Sequence, residues 1–107
     1  MIAEGDEKAL EWRLIRLLQD GNREPLMVRV GYPVYREEPF PGWRCGFSVE
    51  GYLDSETTLV GATALQALGL ALKVLRDVLR TAAEETTLVE AQTGQVLNAE
   101  MLSDALH

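Results

Sequence analysis

The most regular alternation of apolar and polar positions lies in residues 61–83. Five leucines recur there at the three- and four-residue spacing of one helix face: Leu65, Leu68, Leu72, Leu75 and Leu79. Alanine and valine side chains widen this apolar face, and charged side chains occupy the opposite side. The pattern therefore predicts an amphipathic helix that packs on a core. The four charges in this stretch argue against a membrane span.

The limits of this helix can also be predicted. Thr63 and Gln66 have the spacing of a capping box, so the helix is expected to begin between residues 61 and 63. The apolar pattern stops at residues 84–87. Leu70 lies at the margin of the apolar face, which is wider than one packing partner requires. We expect this surplus to contact another helix or another subunit.

Residues 10–19 fit both a helix and a strand, because their apolar positions match both periods. The residues that follow favour a strand. Asp20, Gly21 and Asn22 are typical of a turn, and residues 25–32 have the β-branched content of a second strand. Together the two runs predict a β-hairpin.

A third strand is predicted at residues 42–53, where four apolar side chains alternate with polar ones: Trp43, Cys45, Phe47 and Val49. The prolines at 33, 39 and 41 indicate a loop before it, and residues 54–60 are interpreted as a connector. Residues 86–91 are predicted to form a short strand that ends at the Thr93–Gly94 turn. Asn98 is a suitable N-cap for a last helical turn through Leu106.

The predicted fold class is therefore α+β. A small antiparallel sheet, made of the hairpin and the third strand, packs against one long helix and is followed by a short C-terminal strand or helix. The 107 residues are expected to form a single domain, with a flexible segment at 1–8, a core at 9–85 and an acidic segment at 86–107.

The formal charge of −7 argues against binding nucleic acid by phosphate neutralisation and against binding anionic membranes. Cys45 is the single cysteine, so an internal disulfide is excluded. The first residues lack the features of a signal peptide. These observations predict a cytoplasmic protein whose partners are basic or neutral.

A group of residues resembles a family of small uncharacterised bacterial domains. The resemblance is carried by the Trp43-x-Cys45 strand, by Gly51 and Gly61, and by the helix sequence from Ala64 to Leu72. It covers about residues 10–82 and implies a domain with no established activity. This chain has Thr63 and Ala64 where an Asp-Ser pair is usual, which affects the helix cap. The order of elements is also similar to HicB-type antitoxins, as an analogy of layout alone.

Few residues suggest chemistry. Cys45 lacks a basic partner for nucleophilic activity, and we expect it to be a buried core residue. Glu50, Asp54 and Glu56 could offer oxygen ligands to a hard cation, but their spacing matches no EF-hand and favours a solvated connector. The pairs at 37–38 and 84–85 are interpreted as solvated carboxylates. No catalytic residue, metal or cofactor is predicted.

Two surfaces are candidates for binding a partner. The proline-rich loop carries Tyr35, Phe40 and Trp43, which suit an interface, although they could instead form a lid over the core. The second surface is a basic stripe on the helix, formed by Lys73, Arg76 and Arg80. Asp77 lies within reach of two of these cations, so the stripe could also be an ordinary solvated face.

The leading hypothesis is a non-enzymatic protein-binding module that self-associates, similar in role to an antitoxin, an immunity protein or an adaptor. The alternative is a small-ligand-binding domain with its pocket between helix and sheet, under the aromatic loop. An enzyme ranks third, because no catalytic set of residues is present.

Overall fold

A computed structural model describes residues 10–98 of the chain. In order, these residues form strands β1 (Leu10–Leu17), β2 (Arg23–Val30), β3 (Val34–Arg36), β4 (Gly42–Glu50) and β5 (Thr57–Gly61), helix α1 (Ala64–Glu85), and strands β6 (Thr87–Glu90) and β7 (Val96–Leu97). The predicted flexible segment at 1–8 and the predicted helical turn after Asn98 lie outside the described residues.

One antiparallel sheet contains all seven strands. Strand β4 pairs with β2 and β3 along one edge and with β5 along the other. Beyond β2 the sheet continues through β1 and β6 to β7. Because β5 and β6 lie towards opposite edges of the sheet, α1 has to cross one face of the sheet to join them. The α+β class is therefore confirmed.

The predicted sheet of three strands was too small. Residues 54–60, predicted as a connector, instead include most of β5, which pairs with β4 and whose Leu59 packs against the core. Strand β3 lies inside the proline-rich segment interpreted as a loop, which is possible because it pairs only with β4 among the described residues. Strand β7 has only two residues, too few for a periodic signal.

The hairpin of residues 10–30 is confirmed. Strands β1 and β2 pair from Leu10 opposite Val30 to Leu17 opposite Arg23. In the turn, the Asn22 backbone N–H donates to Asp20 Oδ1 at 2.9 Å. This bond satisfies a backbone donor that the sheet does not reach, so residues 10–19 enter a strand and turn, not a helix.

Strand pairing places the side chains of the core on one face of the sheet. Leu14, Leu26, Val28, Phe47 and Val49 are all buried there, under α1. The predicted alternation of β4 is thus confirmed. Side chains at the intervening positions lie on the opposite face, which we call the far face; they include Arg13, Ile15, Pro25, Met27, Arg29 and Arg44.

Helix α1 begins as predicted. Thr63 is its N-cap, and Thr63 Oγ1 accepts a hydrogen bond from the Gln66 N–H at 3.0 Å. The Gln66 side chain reaches back to the Ala62 N–H at 2.6 Å, so the box closes one residue before the cap. The bond to Thr63 satisfies a donor of the first helical turn that has no intrahelical partner, and the bond from Ala62 fixes the residue before the cap.

The buried face of α1 is centred differently from the predicted one. Its buried residues are Ala67, Ala71, Leu75, Leu79 and Ala82, whereas Leu65 is 81% exposed. The reason is a close approach of the helix to β5. A Cβ atom on Gly61 would lie 2.6 Å from the Ala67 nitrogen. Small side chains at 67 and 71 therefore turn towards the sheet and rotate Leu65 away from it.

Candidate partner-binding surface

The pairing of β3 with β4 brings two of the predicted site residues together. Tyr35 lies opposite Trp43, and their rings meet edge to face with centroids 5.6 Å apart. Trp43 is half buried and packs against the core, whereas Tyr35 is exposed. An edge-to-face pair contributes about 0.5–1.5 kcal/mol beyond its buried area. The core thus fixes the position of an exposed aromatic ring.

Arg44 holds the loop between β3 and β4. Its guanidinium donates to the carbonyl oxygens of Phe40, Gly42 and Arg36 at 2.9, 3.1 and 3.3 Å. The same group lies over the Phe40 ring, 4.9 Å from its centroid. A guanidinium has five donors in a fixed plane, so one side chain can satisfy several carbonyls. The loop is therefore ordered while the Phe40 ring stays exposed.

We call the resulting surface the aromatic edge, formed by Tyr32, Val34, Tyr35, Phe40 and Trp43. Its first four residues are between 45% and 53% exposed. Val34 and Tyr35 point to opposite faces of β3, so the aromatic edge extends around the outer edge of this strand. Exposed apolar side chains of this kind are typical of interaction sites. Of the predicted lid, only Trp43 packs against the core; Phe40 does not.

The other predicted residues lie on α1. Lys73 is exposed, and Leu70 is 36% exposed at the margin of the helix face. Arg76 and Arg80 both approach Asp77, with nitrogen-to-Oδ1 distances of 3.6 and 3.9 Å. Ion pairs this long and this exposed contribute little to stability. These four residues therefore form a second surface, on a different element from the aromatic edge.

Cys45 is fully buried, as its alternation in β4 predicts. Its thiol donates to the Gly31 carbonyl oxygen at 3.2 Å. Burial raises the pKa of the Cys45 thiol above its ordinary value of 9.0. A thiol that is buried and protonated is a poor nucleophile.

Two further groups have shifted pKa values. Burial, together with a hydrogen bond from the Tyr52 hydroxyl to the Glu85 carboxylate at 2.8 Å, raises the pKa of Tyr52. The pKa of Glu90 is lowered, chiefly because its carboxylate accepts from the backbone N–H of Thr93, and also from Gln92 and the Trp12 side chain. Tyr52 thus connects the turn after β4 to the end of α1, and Glu90 connects the end of β6 to the turn that follows it.

The acidic residues considered for a cation are engaged elsewhere or dispersed. Glu50 Oε1 lies 3.3 Å from a guanidinium nitrogen of Arg29. Between residues 10 and 98, no three histidine, cysteine or acidic side chains come together as possible metal ligands. No helix in this part of the chain is long and apolar enough to cross a membrane.

A pocket of about 480 Å³ opens on the far face of the sheet. It is lined chiefly by Arg13, Ile15, Pro25, Met27, Gly51 and Ala91. The alternative hypothesis from the sequence expects a ligand pocket between α1 and the sheet, whereas this pocket lies on the opposite face of the sheet. Residues scattered over three strands and two turns form it, which no local sequence motif encodes.

The fold and the surface define a small α+β domain with an exposed aromatic edge. The sequence model of the family Domain of unknown function (DUF6968) matches residues 12–97, and the chain belongs to this family. The resemblance noted from Trp43, Cys45 and the helix sequence is thereby confirmed as a link to a domain family of unknown function. No curated protein and no solved structure matches the chain.

Proposed function

We propose that the domain is a non-enzymatic, cytoplasmic protein-binding module that uses the aromatic edge as its main contact surface. The observation that carries this proposal is the exposure of Tyr32, Val34, Tyr35 and Phe40 on β3 and its flanking segments, with Val34 and Tyr35 on opposite faces of the strand. Large aromatic side chains with few rotatable bonds are the residues that most often dominate binding energy.

The aromatic edge is conformationally ordered, which supports the proposal. Arg44 holds the loop through three carbonyl oxygens, and the ring of Trp43 contacts the ring of Tyr35 edge to face. A surface that is already ordered loses less conformational entropy when a partner binds. The outer edge of β3 can also accept a partner strand, since β3 pairs only with β4 within residues 10–98.

Self-association is part of the proposal. A second copy would pair along the β3 edge or cover the margin of α1 at Leu70, with Lys73, Arg76 and Arg80 at its rim. The net charge of −7 opposes direct contact between acidic surfaces of two copies and favours a basic or neutral partner. An antitoxin-, immunity- or adaptor-like role fits these features.

The experiment is affinity purification of the tagged chain from a lysate of its source organism, at low and high salt and after nuclease treatment. Mass spectrometry identifies the retained proteins, and light scattering measures the mass of the eluted chain. The test variant is Tyr35→Ser with Phe40→Ser. The matched control is Leu65→Ser, which also removes exposed apolar area but lies at the start of α1.

We expect a stoichiometric protein, or a dimer of the chain itself, that the control retains and the test variant loses. Equal loss in both variants would mean that binding does not use the aromatic edge. A monomer that retains no protein would contradict the proposal and favour the small-ligand alternative, which a thermal-shift screen of metabolites then tests.

A further inference from the structure

Four apolar side chains form a continuous row across the far face of the sheet. Pro25 lies opposite Ile15, Ile15 opposite Val89, and Val89 opposite Val96. Val96 is 55% exposed, Pro25 is exposed, and the two central side chains are half buried. Because adjacent strands are about 4.8 Å apart, the row is roughly 14 Å long. We call it the apolar row.

An arginine borders the apolar row on each side. Arg13 lies two positions before Ile15 on β1, and Arg23 lies two positions before Pro25 on β2, so both share the far face. The two strands are antiparallel, which puts the two arginines on opposite sides of the row. Arg23 lies opposite Leu17, which is four residues after Arg13 on β1. Measured along the strands, the two arginines are therefore about 13 Å apart.

These two guanidinium groups differ from the others nearby. Arg29, on the same face, forms ion pairs with Glu11 at 2.8 Å and Glu50 at 3.3 Å. Arg13 and Arg23 are exposed, and no acidic side chain between residues 10 and 98 pairs with either of them. In a chain with a net charge of −7, the far face thus presents two arginines that have no acidic partner within residues 10–98, one on each side of the apolar row.

The pocket of about 480 Å³ described above adjoins this strip. Ile15, Pro25 and Met27 give it apolar walls, and Arg13 also lines it. An apolar side chain of a ligand could enter it while a neighbouring acidic group of the same ligand meets Arg13. Glu50 also lines the pocket, but it pairs with Arg29.

We propose that the far face binds an acidic amphipathic helix of a partner protein along the apolar row. The partner helix would have an apolar stripe with acidic residues on both flanks. This arrangement is complementary to the far face, where the apolar row has an arginine on each side. The distance of about 13 Å between Arg13 and Arg23 along the strands accommodates a helix of about 10–12 Å diameter. A strand directs successive side chains to opposite faces, so it cannot present both flanks.

The length of the contact also follows from the geometry. A row of roughly 14 Å corresponds to about nine helical residues at 1.5 Å each. The surface is separate from the aromatic edge and binds an acidic segment, whereas the partner proposed for the aromatic edge is basic or neutral. The domain would then bind two partners, or one partner through two segments.

The test uses a fluorescent 16-residue peptide with leucines at helical spacing and glutamates on both flanks of the leucine stripe. Binding to the full chain is followed by fluorescence anisotropy at 20 and 200 mM salt, and amide NMR shifts identify the face. We expect saturable binding that weakens with salt, with shifts centred on Ile15, Val89 and Val96.

Two variants and a control make the test specific. Arg13→Glu with Arg23→Glu should weaken binding about tenfold or more, and Val96→Asp should weaken it similarly. Arg36→Glu is the matched control, because Arg36 is also exposed on the far face but lies beside Gly42, away from the apolar row. It should leave the affinity within about twofold. Thermal melts verify that each variant is folded.

Several outcomes would overturn the proposal. Absence of saturable binding to the unmodified chain is one, and equal weakening by the Arg36→Glu control is another, since it would indicate non-specific attraction. Equal binding of a peptide with lysine in place of glutamate would contradict the acidic partner. A dimer of the chain that Val96→Asp converts to a monomer would assign the surface to a second copy instead.

Discussion

Tyr35 meets the edge of the Trp43 ring across the pairing of β3 with β4, with their planes inclined by 67°. One ring packs against the core and the other faces solvent. The pair therefore connects the stability of the sheet to the position of an exposed aromatic side chain, and each of its members can be tested separately.

We expect Trp43→Ala to lower the free energy of unfolding by about 2–4 kcal/mol, because it removes a large side chain from the margin of the core. Tyr35→Ala should lower it by only about 0.5–1.5 kcal/mol. Urea unfolding of both variants and of the double variant measures their coupling, expected at about 0.5–1.5 kcal/mol. Phe40→Ala is the control, and a coupling near zero between 35 and 43 would show that the ring contact contributes no energy.

The close approach of α1 to β5 makes Gly61 intolerant of a side chain. A Cβ atom there would meet backbone atoms of Ala67, which cannot move without displacing the helix. Gly61→Ala should therefore lower the free energy of unfolding by about 1–3 kcal/mol. Gly69→Ala, where no atom lies within 4 Å, should raise it by about 0.5–1 kcal/mol through helix propensity. If urea unfolding showed that both variants change the free energy of unfolding in the same direction, the close contact of α1 with β5 at Gly61 would be contradicted.

The Cys45 thiol should be protected from alkylation in the folded protein. Iodoacetamide labelling followed by mass spectrometry is expected to be slow in buffer and fast in denaturant, because the thiol is buried and its pKa is raised. Rapid labelling of folded chain would contradict this burial.

The same thiol predicts a pH dependence of stability. The folded chain keeps the proton while the unfolded chain releases it near its ordinary pKa of 9.0, so the free energy of unfolding should fall as pH rises above that value. Tyr52 adds a similar loss above its ordinary value of 10.0. Urea unfolding of Cys45→Ala between pH 8 and 10 should show a smaller decline than that of the unmodified chain, and equal declines would exclude the thiol as the cause.

Glu90 should act in the opposite pH range. Its pKa is lowered in the folded chain from an ordinary value of 4.5, so its stabilising effect is present above that value and is lost as pH falls through the folded pKa. The effect reflects the hydrogen bonds that the carboxylate accepts from the turn after β6. Glu90→Gln should therefore flatten the fall in melting temperature between pH 6 and 3. An NMR titration that placed the Glu90 pKa at or above 4.5 would contradict the assignment.

The parts of the fold that the sequence predicts are those with local signals. Thr63 and Gln66 mark the helix start, Asp20 to Asn22 mark the hairpin, and the alternation from Trp43 to Val49 marks β4. Strands β3, β5 and β7 have only three, five and two residues, which is too few for a periodic pattern to identify them. The rotation of Leu65 out of the core likewise depends on the contact between Gly61 and Ala67.

The candidate surfaces divide in the same way. Aromatic residues near prolines indicate Tyr35 and Phe40 from composition alone. Arg44, in contrast, alternates as an ordinary polar position of β4, and its bonds to three carbonyls depend on the path of the loop. The apolar row combines residues of four strands, so it becomes visible only when the register of the sheet is known.

The crossing of α1 from one side of the sheet to the other has a consequence for the chain as it leaves the ribosome. The hairpin of β1 and β2 is synthesised before α1, whereas β6, which pairs with the other edge of β1 within residues 10–98, is synthesised after the helix. Until then, a nascent strand edge stays open to pairing with other chains. Retention of the ribosome-bound chain by a holdase should therefore decrease when β6 emerges, because that strand covers the edge of β1.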